Sequence, residues 1–280
     1  ENNKLNFMNR SNPIGVFDSG IGGLSVVKRI SAHLPTESII YFGDTARVPY
    51  GNKSNETVIE YAKQDASFLT KKGIKLLIVA CNTVSSVAID ILRKSYNIPV
   101  IGMIEPGAAK AASSTKNNKI GVIGTNSTIR NKAYSKALKK INPSIEVYEK
   151  ACPLFVPLAE EGWVDHKATQ LIAKEYLTEL KDAGIDTLIL GCTHYPLLVN
   201  VIQKVMGSKI TLIDSGWAAT NVVDDYLSGR GLKTHNGQEA IHEYYVSDLS
   251  DRFKTVAETF LGKKIVNLTK IEIDELIRGK

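Results

Sequence analysis

Ile14-Gly15-Val16 returns as Ile120-Gly121-Val122, and the segment Gly73 to Cys81 returns as Gly184 to Cys192, so this 280-residue chain carries one ordered pattern twice. The offset stays between 106 and 111 residues, and it continues through Ile104 and Pro106-Gly107, which match Ile213 and Ser215-Gly216. Each copy alternates short β-branched runs with longer amphipathic stretches, the pattern of parallel strands covered by helices. The strands expected are Ile14 to Phe17, Ile39 to Phe42, Leu76 to Ala80 and Val100 to Ile104, then Ile120 to Ile123, Ile145 to Tyr148, Leu188 to Leu190 and Ile210 to Ile213. The fold class is therefore α/β: two similar α/β domains with mostly parallel sheets related by pseudo-symmetry. The domains are expected at residues 13–105 plus 214–280 and at 106–213. The stretch beyond about residue 220 adds helices and a strand back to the first half. In such sheets ligands sit outside the carboxyl ends of the strands, so two facing halves would share one cleft.

A chain of this length suits two units, each with its own core. Apolar residues make up 43% and charged residues 23%, with no low-complexity tract, which places it among globular rather than disordered or fibrous proteins. No apolar run approaches the roughly 20 residues of a membrane span, and no signal-peptide core opens the chain, so a cytoplasmic location and no membrane partner are expected. Glu1 to Phe7, ahead of Met8, read as an added remnant or short extension and stay outside the fold reading. The charge of +6 is dispersed in pairs such as Lys71-Lys72 and Lys139-Lys140, without interleaved aromatic residues, so nucleic acid is not expected as a partner. At most that charge steers small anionic substrates.

Three cysteines, an odd number, argue against a disulfide framework and must be judged singly. Ala80-Cys81-Asn82-Thr83 and Gly191-Cys192-Thr193-His194 each follow an apolar strand at matched places in the repeat. A thiol at a helix start meets the positive end of the backbone dipoles, which is expected to lower its pKa and make it a proton acceptor. A lone cysteine after a strand is more often a small buried hydrophobe; two at equivalent positions point to a joint role. Cys152, in Ala151-Cys152-Pro153, has no mate and is read as a core filler. Five histidines leave few candidates for a metal cage.

Other segments speak more softly. Phe17-Asp18-Ser19-Gly20-Ile21-Gly22-Gly23-Leu24 runs from a strand into a glycine turn whose N–H groups could approach an anion, or it is simply a tight turn with a capping Asp. Its spacing is neither a dinucleotide fingerprint nor a P-loop. Gly43-Asp44-Thr45 and Pro49-Tyr50-Gly51 form either a wall of the cleft or two ordinary turns. His194 could tune its neighbouring thiol, and Glu160-Glu161 follow the apolar stretch Phe155 to Leu158.

Together, Gly15 to Gly23, Pro49-Tyr50-Gly51, Ala80 to Thr83 and Gly191-Cys192-Thr193-His194-Tyr195-Pro196-Leu197 resemble the motifs of the glutamate racemases, in the aspartate/glutamate racemase superfamily. The resemblance implies that Cys81 and Cys192 are catalytic thiols, with Asp18, His194 and a glutamate, Glu160 rather than Glu161, assisting. It implies that Asp18, Ser19, Pro49, Tyr50, Gly51, Asn82, Thr83, Thr193 and His194 contact L- or D-glutamate. It further implies no cofactor, no metal, a homodimer, and supply of D-glutamate for bacterial peptidoglycan and so for cell shape. For the L-to-D direction it points to Cys192 as base and Cys81 as acid. The expected physics agrees: inversion without a redox cofactor needs an acid and a base on opposite faces of one carbon. A closing motion hinged near residues 105 and 214 would dry that site. Three alternatives stand beside this reading: a racemase for aspartate or another small acid, a zinc hydrolase or lyase with Cys81, Cys192 and His194 as ligands, and a two-lobed solute-binding protein, disfavoured by the twin thiols.

Overall fold

The computed structural model describes residues 9–234 and 240–278; the amino-terminal extension lies outside them. Its strands are β1 (Ile14–Asp18), β2 (Ile39–Gly43), β3 (Leu76–Val79), β4 (Val100–Ile101), β5 (Lys119–Gly124), β6 (Glu146–Ala151), β7 (Thr187–Gly191), β8 (Thr211–Asp214), β9 (His242–Val246) and β10 (Leu268–Lys270). They form two wholly parallel sheets, ordered β10-β9-β2-β1-β3-β4 and β6-β5-β7-β8. Stripped of β9 and β10, the first sheet has the strand order of the second, so the repeat in sequence is a repeat in topology. β1, β2, β3 and β7 are buried along their whole length, as β-branched runs covered on both faces should be.

The fourth strand is shorter than expected. β4 stops at Ile101, and Ile104 opens a helix, Ile104–Ser114. Pro106 falls in that helix's first turn, where its missing N–H and fixed φ cost nothing. β6 instead runs three residues past its expected end at Tyr148, to Ala151. The carboxyl-terminal part contributes two strands rather than one, with β9 pairing alongside β2 from Ile39↔His242 to Gly43↔Val246.

The halves share one apolar cluster besides those each keeps for itself. One apolar cluster joins Ile14, Val16 and Tyr41 of the first sheet to Ile123, Leu188 and Leu190 of the second, through side chains such as Val27, Val223 and Phe260. Two further clusters stay within one half each: Phe17, Phe42 and Val79 in the first, Ile120, Val122 and Ile189 in the second. The helix Ser215–Gly229 lies against helices of both halves, Leu24–His33 and Ile104–Ser114. Its amino end is capped by Asp214, whose Oδ1 accepts from the N–H groups of Gly216 (2.9 Å) and Trp217 (3.2 Å). Among the described residues no helix is long and apolar enough to cross a membrane.

Candidate active site

Parallel pairing sets the carboxyl ends of β1 and β3 side by side, Phe17 opposite Val79, and those of β5 and β7 likewise, Gly124 opposite Gly191. Ser19, Cys81, Thr125 and Cys192 stand just beyond these four strand ends, and all four line one cavity of about 420 Å³. Cys81 and Cys192 both line it, nearly buried, and the charge of Cys192 bears on the Cys81 thiol. Such a volume lies within the range of small-molecule sites.

Ser19, Pro49, Tyr50, Gly51, Cys81, Asn82, Thr83, Glu160, Cys192, Thr193 and His194 all line the cavity. Asp18 does not. It is fully buried behind the wall, where Oδ2 accepts from the Gly20 N–H at 3.1 Å and Oδ1 from the Thr193 hydroxyl at 3.5 Å. Burial raises its pKa, with the charge of His194 working against that rise. The Asp18 carboxyl, which the resemblance assigns to ligand contact, here braces Thr193 from behind. Tyr50 lines the cavity, yet its hydroxyl donates to Asp44 and lies 3.2 Å from Asp65. Of the segment read as either a cleft wall or two ordinary turns, Asp44 and Thr45 do not line the cavity; residues 48–52 do.

The two thiols differ. Cys81 stands at the position just ahead of the helix Asn82–Val87 and donates to Ser19 Oγ at 3.4 Å. The lowered pKa expected of a thiol there is not found: burial, reinforced by the nearby Asp18 charge, pushes Cys81 up to about 12 despite the Ser19 bond. One short helix does not outweigh desolvation of an anion. Cys192 does not itself open an α-helix; a 3-10 turn, Tyr195–Leu198, follows His194 and leads into the helix Val199–Met206. Instead its sulfur meets Nδ1 of His194 at 3.8 Å, and Nε2 of the same ring meets Glu160 Oε1 at 2.9 Å. Burial disfavours charge on His194, but the bonds to Cys192 and Glu160, with their charges, outweigh it and push the imidazole up to about 10. Glu161 turns outward to Arg252 at 2.9 Å.

Several residues went unforeseen. Thr125 lines the cavity and shares a 2.8 Å hydrogen bond with the Thr83 hydroxyl of the other half. The repeat held that signal, because an offset of 106 places Thr125 opposite Ser19. Asn82 accepts from the Tyr134 hydroxyl at 2.7 Å, which fixes its amide at the back of the cavity. Phe260 sets its ring edge-on to His194, centroids 5.0 Å apart, from a helix more than sixty residues downstream that no motif marked.

Gly22 in the glycine turn also serves packing. A Cβ on Gly22 would come 2.3 Å from Thr193 Oγ1 and 2.4 Å from His194 Nδ1, so glycine there lets the first half press against the Cys192 loop. Cys152 is buried in the shared core, as a filler would be. Among the described residues no three His, Cys, Asp or Glu side chains converge as metal ligands would, so the Cys81, Cys192, His194 cage drawn from sequence has no counterpart.

Comparison with known proteins adds an independent line. The profile of the Asp/Glu/Hydantoin racemase family matches residues 14–223. The glutamate racemase of Geobacter metallireducens is 51% identical over 261 residues, 93% of this chain and 97% of that protein. The crystal structure of glutamate racemase from Francisella tularensis in complex with D-glutamate superposes with a TM-score of 0.89 at 42% identity, covering 95% of this chain and 99% of that one. A glutamate racemase isoform from Bacillus anthracis gives 0.91 at 37% identity over the same shares.

Proposed function

The chain belongs to the Asp/Glu/Hydantoin racemase family, among its glutamate racemases, and from that premise we propose that it interconverts L- and D-glutamate by a two-base mechanism without a cofactor. The observation that carries this reading is the placing of two unlike thiols, Cys81 and Cys192, on one cavity.

For L-glutamate, Cys192 as thiolate takes the Cα proton, while a protonated His194 directs its Nδ1–H at the sulfur and stabilises negative charge there before transfer. Glu160 holds the ring through Nε2. The electron pair left on Cα delocalises into the α-carboxylate, and preorganised hydroxyl, amide and N–H donors around Ser19, Asn82, Thr83 and Thr193 answer the growing charge. Cys81, which keeps its proton at neutral pH, delivers it to the opposite face. The product is D-glutamate, with Cys81 now a thiolate and Cys192 a thiol; the reverse reaction exchanges the roles.

In this reading the substrate contacts are Ser19, Pro49, Tyr50, Gly51, Asn82, Thr83, Thr193 and His194, and Asp18 acts from behind the wall. D-Glutamate so made supplies peptidoglycan synthesis and thereby cell shape, in the cytoplasm, and the enzyme works as a homodimer. The test incubates chelator-treated protein with L-glutamate in deuterated water. Optical rotation falling to zero, with one deuterium at Cα of the product, supports the reading; no inversion refutes it, and faster turnover of L-aspartate moves the substrate. Sedimentation at micromolar concentration reads the dimer.

A further inference from the structure

The cavity wall at residues 48–52 is held from outside by a cluster that never touches the cavity. Arg47 ends the turn Thr45–Arg47 after β2 and is largely buried. Its Nε donates to Asp44 Oδ2 at 2.6 Å, its Nη2 to Asp65 Oδ1 at 3.0 Å and its Nη1 to Gln64, while the guanidinium carbon lies 4.0 Å from the ring centroid of Tyr61. Asp44 and Asp65 are fully buried, and both face the Tyr50 hydroxyl. Burial and then the charge of Asp44 raise Asp65 well above the usual carboxylate range, so a proton held there balances two carboxylates against one cation. From the carboxyl-terminal segment, Ser247 closes the ring: its hydroxyl donates to Asp44 Oδ1 at 2.8 Å and accepts from the Ala46 N–H at 2.9 Å.

The turn and the helix Asn55–Lys71, which carries Gln64 and Asp65, thus meet on Arg47, and Ser247, just past the end of β9, joins them through Asp44. The planar, permanently charged fork of arginine presents its donors in fixed directions that reach Asp44, Asp65 and Gln64 together; a lysine ammonium is a point charge on a flexible stem and does not reproduce that fork. Resting on the proposed function, we infer that Arg47, clamped between Asp44 and Asp65, is a positioning residue that fixes the 48–52 wall and so sets how tightly glutamate is held. It does not touch the reacting carbon. Its loss therefore acts on binding before chemistry.

Arg47→Lys keeps the charge and breaks the bridge. It is expected to raise KM for L-glutamate about tenfold with kcat within about threefold, a split that uniform loss of structure would not give. Amide hydrogen exchange over residues 45–52 is expected to quicken about tenfold while the sheets keep their protection. An unchanged KM, a fall in kcat alone, or exchange quickened evenly along the chain overturns the assignment. Should Arg47→Lys fail to fold, Ser247→Ala removes one strut of the same cluster; KM raised about threefold with local exchange supports the assignment, and neither change overturns it. Wild-type protein that does not racemise glutamate would sink the proposed function instead, and exchange at 45–52 would then judge the clamp alone.

Discussion

His194 places Nδ1 3.8 Å from the sulfur of Cys192, whereas the sulfur of Cys81 donates to the Ser19 hydroxyl at 3.4 Å with the Asp18 charge nearby. The pseudo-symmetric halves have therefore built two chemically unlike thiols. That inequality makes the first prediction sharp. Because the substrates are mirror images, their equilibrium constant is unity, and any variant must lower kcat/KM equally in both directions. His194→Asn is expected to lower kcat by about 10²- to 10⁴-fold, the usual worth of a positioned proton-transfer group. The asymmetry will appear in the primary isotope effect, larger for α-deuterated L-glutamate, from which Cys192 takes the proton, than for the D form. Equal effects would detach His194 from Cys192.

Stability against pH follows from the same ring. His194 titrates near 10 when folded against 6.5 as a free side chain, so between those values the native state holds a proton that the unfolded chain has released. Its stabilising contribution is complete below pH 6.5 and disappears as pH rises through about 10. Cys81, protonated to about 12 against 9.0, adds a second decline that begins only above pH 9. Urea midpoints from pH 6 to 10 should fall for the wild type, and His194→Asn should flatten the part below pH 9. A wild-type midpoint constant from pH 6.5 to 9 contradicts this.

Gly22→Ala drives a methyl group into Thr193 and His194. Overpacking of this kind costs about 1–3 kcal/mol, and in a chain of this size each kcal/mol lowers Tm by roughly 2–4 °C. Activity should fall further than stability, since both struck side chains line the cavity. Gly229→Ala, whose Cβ would meet nothing within 4 Å, is the control and should be neutral or stabilising by up to about 1 kcal/mol. Calorimetry and initial rates on the pair read both effects.

Lys75 and Glu37 form a fully buried ion pair at 2.5 Å, and Lys75 also donates to the carbonyls of Arg10 at 2.7 Å and Leu232 at 2.9 Å. This pair sits at the amino end of β3, the far end from Cys81. Lys75→Met leaves Glu37 uncompensated and should cost about 3–5 kcal/mol by urea unfolding, with turnover at 25 °C unchanged. A loss below 1 kcal/mol would show that water or another cation reaches Glu37.

Much of this was legible in the residues because strands buried on both faces write continuous apolar runs, and because the copy of each run marks its partner. Cys81 and Cys192 stood out for that reason, and Thr125 was recoverable through its match to Ser19. What escaped is tertiary. The fall of Asp18 behind the wall depends on how the turn at Gly20 to Gly23 folds back, and the raised pKa of Cys81 depends on burial that no local pattern records. The shared core arises because helices such as Leu24–His33 and Ser215–Gly229 are wedged between the halves, so apolar faces meant for separate domains meet one another. Phe260 and Ser247 arrive from a segment outside the repeat, where the second copy offered no guide.

The most direct test of two unequal thiols acting from opposite faces follows the α-hydrogen in single variants. Cys81→Ala, incubated in deuterated water, is expected to exchange the α-hydrogen of L-glutamate without inverting it and to leave D-glutamate unlabelled; Cys192→Ala should do the converse. Inversion by either variant at more than about a thousandth of the wild-type rate, or exchange of both enantiomers by one of them, would contradict a proton taken from one face and returned to the other.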